Sequence, residues 1–274
     1  MVTIHSFSEH SRIYADLQRY FSSFPFITGI FLSGSSAVDT MDQYSDIDMG
    51  IVFESTESLE KFWEERWDWE LPTWFHRFDA DHVKEHFIII LFEPDIKVDL
   101  ALYTKDSLPP PEGAPFLLDY YKEQELKTWC ENSNKLFHKE QKKPEINVAE
   151  IIHDDERVWA WLFYSYVHIA RGEYYAIAAE FSWLRGIVEK WIAYFQYEMK
   201  FDTRRLEFLF EKDDLENLGK LFPLPQKESL ITACQTLITL LLELRLYIES
   251  QIPITWKTTL HCIDKIKWFL DKIK

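Results

Sequence analysis

Three aspartates and a glycine–serine pair offer the chain its clearest chemistry. Leu32-Ser33-Gly34-Ser35-Ser36 leads, through the ten residues from Ser36 to Ser45, into Asp46-Ile47-Asp48-Met49, and a third acid stands in Val98-Asp99-Leu100. Two acids separated by one residue on a strand point to the same sheet face. The turn before them adds backbone amides and small hydroxyls. Paired carboxylate oxygens suit a hard divalent cation, and magnesium in particular takes one or two carboxylates and completes its octahedron with water and substrate phosphates. A third carboxylate on a neighbouring strand would complete a two-metal site, one ion activating an attacking hydroxyl and the other neutralising a triphosphate. Gly34 lets backbone approach phosphate with no side chain between them, and Ser35 can donate a hydrogen bond to a non-bridging oxygen.

The elements around these residues follow from pattern. Ser6-Phe7-Ser8-Glu9 has the form of a capping box, and Ile13, Leu17, Tyr20 or Phe21, and Phe24 follow at helical spacing until Pro25. Phe26 to Leu32 reads as a buried strand entering a tight turn, Ile47 to Phe53 as a second strand, and Ser55 to Trp69 as an amphipathic helix. Phe87 to Phe92 and Ile96 to Tyr103, broken by Glu93-Pro94-Asp95, predict an antiparallel hairpin. In its second arm Val98, Leu100 and Leu102 alternate with Lys97, Asp99 and Ala101, so Asp99 faces away from its apolar neighbours. The Pro109 to Pro115 loop closes this region, and Lys139 to Pro144 reads as a linker.

From Val148 the periodicity is helical alone. Ile177, Phe181, Leu184, Val188, Trp191 and Phe195 form one apolar stripe, and Leu230, Cys234, Leu237, Leu241, Leu244 and Ile248 another. A last helix is expected from near Thr255, carrying Ile263, Ile266, Leu270 and Ile273. The expected fold class is therefore α+β, a mixed sheet with helices over residues 1–143, followed by an all-helical bundle over 144–274.

Composition limits the partners. The 274 residues carry a formal net charge of -16, which repels a phosphate backbone and attracts cations, so no nucleic-acid partner is expected. Solubility alone accounts for such a charge equally well. Cys130, Cys234 and Cys262 are far apart and in no CxxC arrangement, which fits a reducing cytoplasm rather than a disulfide framework. The first residues lack a basic segment followed by an apolar run, so no secretory signal is expected. Leu237 to Leu246, interrupted by Glu243 and Arg245, is too short an apolar run to span a bilayer, and no membrane partner is expected. None of the seven glycines falls in a GxGxxG or GxxxxGK pattern.

The hydrophobic-Gly-Ser, Asp-hydrophobic-Asp and later hydrophobic-Asp-hydrophobic elements, in that order, resemble the nucleotidyltransferase superfamily of DNA polymerase β. Within it, Asp42-Gln43-Tyr44-Ser45-Asp46-Ile47-Asp48 and Ala170-Arg171-Gly172-Glu173 look like the bacterial aminoglycoside 6-adenylyltransferases and lincosamide nucleotidyltransferases. The resemblance implies a polymerase β-like fold. It implies transfer of a nucleoside monophosphate from Mg²⁺-bound ATP or another nucleoside triphosphate to the hydroxyl of a small acceptor, as in antibiotic resistance. Asp46, Asp48 and Asp99 would hold the metals, and Asp99 would also accept the hydroxyl proton. Gly34 and Ser35 would bind the nucleotide. Where those families carry an acid after a short last strand, Leu136-Phe137-His138-Lys139 offers His138. A protein-modifying or antitoxin-type enzyme and an inactive nucleotide-binding relative are the competing readings, and a monomer and a homodimer are equally compatible with the sequence.

Other residues invite decoy readings. His82-Val83-Lys84-Glu85-His86 spaces two histidines as a zinc helix does but has Val83 where a metalloprotease needs Glu. Asp79-Ala80-Asp81 lacks an upstream Gly-Ser turn and a strand pattern, and reads as a loop or helix cap. Trp63, Trp67, Trp69, Trp74, Phe75 and Phe78 either pack in a core or dimer contact or line a substrate cleft. Asp154, Asp155 and Glu156 either stabilise a first helical turn through its dipole or face a cleft, and Glu173 is open to the same two readings.

Overall fold

The structure is a computed structural model that describes residues 4–38, 40–71, 73–110, 115–140, 145–199 and 206–273. The chain forms two compact units, residues 1–141 and 142–274. Parts of the Pro109 to Pro115 loop and of the Lys139 to Pro144 linker lie outside the described residues.

The first unit is built on a six-stranded mixed sheet in the order β3-β4-β5-β2-β1-β6. Its strands are β1 (Ile27–Leu32), β2 (Ile47–Phe53), β3 (Trp74–Asp79), β4 (Phe87–Phe92), β5 (Ile96–Thr104) and β6 (Leu117–Tyr121). Among the described strands only β2 and β5 run parallel, and their register sets Asp48 directly opposite Asp99. The central strands are apolar on both faces because both are covered. On one face, helix α1 (Ser8–Ser22) inserts Ile13, Leu17 and Phe21, and α2 (Thr56–Glu64) adds Leu59 and Phe62. On the other, Leu126 and Cys130 of α3 (Gln124–Glu140) join Phe31, Tyr103 and Phe116 over the end of the sheet away from the acids. Gly50 makes room there, since a Cβ on it would lie 2.2 Å from the Phe31 ring.

The capping box at Ser6 does not form: a 3-10 turn over Ile4–Ser6 runs straight into α1, whose N-cap is Phe7 with no side-chain cap. The helix expected to Trp69 ends at Glu64, and Arg66–Asp68 make a 3-10 turn. Leu136 to Lys139 lie within α3 rather than a strand, and the last strand is β6, on the far side of β1. The side chain of His138 lies outside the described residues. The two histidines of His82 to His86 sit in a turn.

The aromatic cluster divides. Trp69 is buried and stacks on Phe62. Asp79 ends a genuine strand, the edge strand β3, and holds Arg66 in a two-pronged ion pair. Around that pair the guanidinium of Arg66 lies over Trp63 and Trp67, and that of Arg77 over Trp67 and Trp74. Alternating cations and indoles thus brace the sheet edge.

The second unit is helical: α4 (Val148–Arg171), α5 (Tyr174–Phe195), α6 (Leu206–Leu209), α7 (Lys212–Gly219), α8 (Lys227–Gln251) and α9 (Leu260–Lys272). Asn147 caps α4 through the amides of Ala149 and Glu150, and Gly172, at φ +78°, ends it in the left-handed conformation that glycine accepts readily. The stripes on α5 and α8 meet in one core with α4 and α9. The last helix begins at Leu260 rather than near Thr255, with the Thr259 hydroxyl accepting from the Cys262 amide. Helix α8, at 25 residues, is long and apolar enough to cross a membrane, which the shorter apolar run did not suggest, but 56% of its apolar window is buried within the protein.

Candidate active site

The site is assembled at the ends of β1, β2 and β5. After β1 the chain makes a 3-10 turn over Gly34–Ala37. The Ser33 amide donates to the Asp48 carbonyl at 2.9 Å, tying this turn to β2. Gly34 has φ +58°, and a Cβ on it would lie 2.0 Å from Asp48 Oδ2. Glycine is therefore required twice over, by backbone conformation and by the approach of the carboxylate. In the same turn the Ser35 hydroxyl is buried with no hydrogen-bond partner among the described residues. A buried hydroxyl without a partner is costly, so it marks a position where a ligand oxygen would be welcome.

The loop before β2 is held from two sides. Asp42 accepts hydrogen bonds from the Tyr44 amide and the Ser45 hydroxyl, and buried His10 of α1 donates through Nε2 to the Ser45 carbonyl at 2.8 Å. This fixes the point at which Asp46 enters the sheet. Asp46, Asp48 and Asp99 each offer an oxygen to one cluster, with those atoms all within 4.8 Å of one another. The three residues are half-buried. The structure thus brings together all the acids that the sequence singled out for metal binding, with Gly34 and Ser35 alongside.

Lys97 belongs to the same cluster. Its ammonium nitrogen lies 2.7 Å from Asp46 Oδ2 and 2.7 Å from Asp99 Oδ1. Burial disfavours the charged amine, but the hydrogen bonds and charges of Asp46 and Asp99 outweigh it and raise its pKa above the usual lysine value. The signal was present in the sequence, since Lys97 precedes Asp99 by two and so shares its face. A cation seated between the carboxylates shows that the cluster accepts positive charge. Three hard oxygen donors at this spacing fit Mg²⁺.

Register extends the site sideways. Ile89 pairs with Asp99, and Phe78 pairs with Ile89, so all three share one sheet face. Phe78 is exposed, with the His76 ring 5.7 Å away. Of the aromatic cluster considered for a cleft, Phe78 is the member that register places on this face.

The other acids have different partners. Helix α4 starts a turn earlier than Asp154 requires, so Asp154, Asp155 and Glu156 are not in its first turn and the helix-dipole explanation does not apply. Asp154 instead pairs with Lys190, Glu156 with Lys257 at 3.1 Å, and Glu173 with His168. Asp155 is fully buried beside Arg245 and accepts from the Trp159 indole at 2.9 Å. Burial raises its pKa despite the neighbouring guanidinium.

Residues 12–109 match the family model of the nucleotidyltransferase domain. The first unit therefore carries a nucleotidyltransferase domain, the domain of enzymes that transfer nucleoside monophosphates. Among solved structures the chain is similar to an aminoglycoside 6-adenyltransferase from Bacillus subtilis, at 15% identity over 96% of each chain with a TM-score of 0.43. It is also similar to a nucleotidyltransferase-like protein from Exiguobacterium sibiricum 255-15, at 11% identity over 96% of this chain and 88% of that one, with a TM-score of 0.33. No curated protein matches the chain.

Proposed function

We propose that the protein transfers AMP from ATP, in the presence of Mg²⁺, to a hydroxyl of a small cationic acceptor of the aminoglycoside or lincosamide kind, in the cytoplasm, the acceptor oxygen bonding to the α-phosphorus as the bond to the β-phosphate breaks and pyrophosphate leaves. The observation that carries this reading is the convergence of Asp46, Asp48 and Asp99 beside a glycine turn whose Ser35 hydroxyl has no partner among the described residues. Asp46, Asp48 and Asp99 would hold the metal, which when bound supplies positive charge against the triphosphate and eases loss of the hydroxyl proton. The Gly34 turn admits the phosphates close to backbone, and Ser35 donates to a phosphate oxygen. Asp99 is the base to which the acceptor hydroxyl is presented. Positioning and charge compensation by these groups do most of the work in such a displacement.

The choice of a cationic acceptor rests on the net charge of -16, which raises the local concentration of cations. It favours an aminoglycoside over the less charged lincosamides. The test is incubation with Mg²⁺ and each α-labelled nucleoside triphosphate against aminoglycosides, lincosamides and plain aminocyclitols. Label should reach a cationic acceptor with the wild type and fall by orders of magnitude with Asp48→Asn, whose circular dichroism stays native. Full transfer by that variant would remove the site from consideration, and label on a co-purifying protein instead would move the acceptor class to polypeptides.

A further inference from the structure

The helical unit holds a second constellation. Helices α4 and α5 form an antiparallel hairpin joined at Gly172 and Glu173. Arg157 and Trp161 are four apart on α4, and Glu180, Trp183 and Leu184 lie within one turn of α5, so each set projects from a single helical face. Together they line a cavity of about 250 Å³. Trp161 and Trp183 form two of its walls, with ring centres 6.0 Å apart and planes at 62°.

Glu180 is the informative member. Its Oε2 is buried and has no hydrogen-bond partner among the described residues. A buried carboxylate oxygen without a donor is unfavourable and is expected to find one. Arg157 lines the same cavity, yet its guanidinium packs on the Trp183 face at 4.6 Å instead of pairing with Glu180. The indole wall thus already attracts a cation, and the acid beside it still lacks a donor among the described residues.

We propose that this pocket binds a protonated primary amine. An ammonium group brings three donors and no acceptor, which answers Glu180, and its charge is attracted to the indole faces. An anion would meet Glu180, and a neutral apolar group would leave its oxygen without a donor. The amine is either part of the acceptor or a separate small polyamine. Binding here does not depend on nucleotidyl transfer.

The test uses the full chain labelled with ¹⁵N, following the indole N–H signals of Trp161 and Trp183, assigned with Trp161→Phe and Trp183→Phe. Putrescine, which has no hydroxyl to modify, should move both signals saturably. Glu180→Gln should weaken it at least tenfold, and Arg157→Leu, which removes the resident cation, should tighten it several-fold. Asp48→Asn should bind as the wild type does. Absence of saturable movement, unchanged affinity in Glu180→Gln, or loss of binding in Arg157→Leu or in Asp48→Asn would each overturn the proposal. The same titration with 2-deoxystreptamine separates the sources. If it moves these signals and Glu180→Gln raises its KM as an acceptor without changing kcat, the amine belongs to the acceptor. If putrescine alone moves them, the pocket serves a separate amine.

Discussion

A single methyl group at residue 34 would test how closely the turn and the acids are built together. Alanine there must adopt φ +58° and place its Cβ 2.0 Å from Asp48 Oδ2, so either the turn opens or the carboxylate moves. Gly34→Ala should cost about 1–2 kcal/mol from the left-handed conformation alone, seen as a lowered Tm, and should reduce transfer at least tenfold in initial-rate assays. Lys97 poses a separate question, because its ammonium holds Asp46 and Asp99 from 2.7 Å each. Groups that orient metal-binding carboxylates are typically worth about 10–100-fold in activity. Lys97→Met should lose that much in kcat, whereas Lys97→Arg, which keeps the charge, should lose less. A full rate in Lys97→Met would show that the acids need no such holder.

Each helix and strand constrains its residues differently, and buried Asp155 illustrates the cost of separating partners across the bundle. It sits at 0% exposure beside Arg245 of α8 and accepts from Trp159 of its own helix. Removing one partner of a buried pair leaves the other charge uncompensated, at about 3–5 kcal/mol. Asp155→Leu and Arg245→Leu should each be strongly destabilising in urea melts, and the double variant should lose less than their sum, since each already breaks the same contact. That pair was not legible in the sequence, because residues 155 and 245 meet only through packing of α4 on α8. The central strands were legible, because β1, β2, β4 and β5 are short apolar runs bounded by turn-forming or charged residues. Alternation alone set Asp99 on the face opposite Val98 and Leu100. Strand β3 escaped because it is a largely exposed edge strand that mixes aromatic with charged residues, so neither alternation nor a solid apolar run marks it. Strand β6 and helix α3 escaped for a related reason, since Asp119 interrupts the one to meet Tyr14 and Gln18, and α3 buries little beyond Leu126, Cys130 and Ser133.

For the chain taken together, the charge of -16 makes a prediction that local geometry does not. A cationic acceptor approaching such a molecule is steered over distances comparable to the Debye length, about 10 Å at 0.1 M salt. Raising ionic strength screens that attraction without altering the carboxylate cluster, in which Asp46 and Asp99 are in direct contact with Lys97. Between about 0.05 and 0.5 M NaCl the KM for a polycationic acceptor should therefore rise several-fold while kcat changes little. An acceptor without charge, assayed over the same series, should show a flat KM. If both acceptors respond alike, the acidic surface serves solubility and the choice of acceptor is made by contacts within the site. If only the cation responds, the net charge contributes to selectivity before any contact forms.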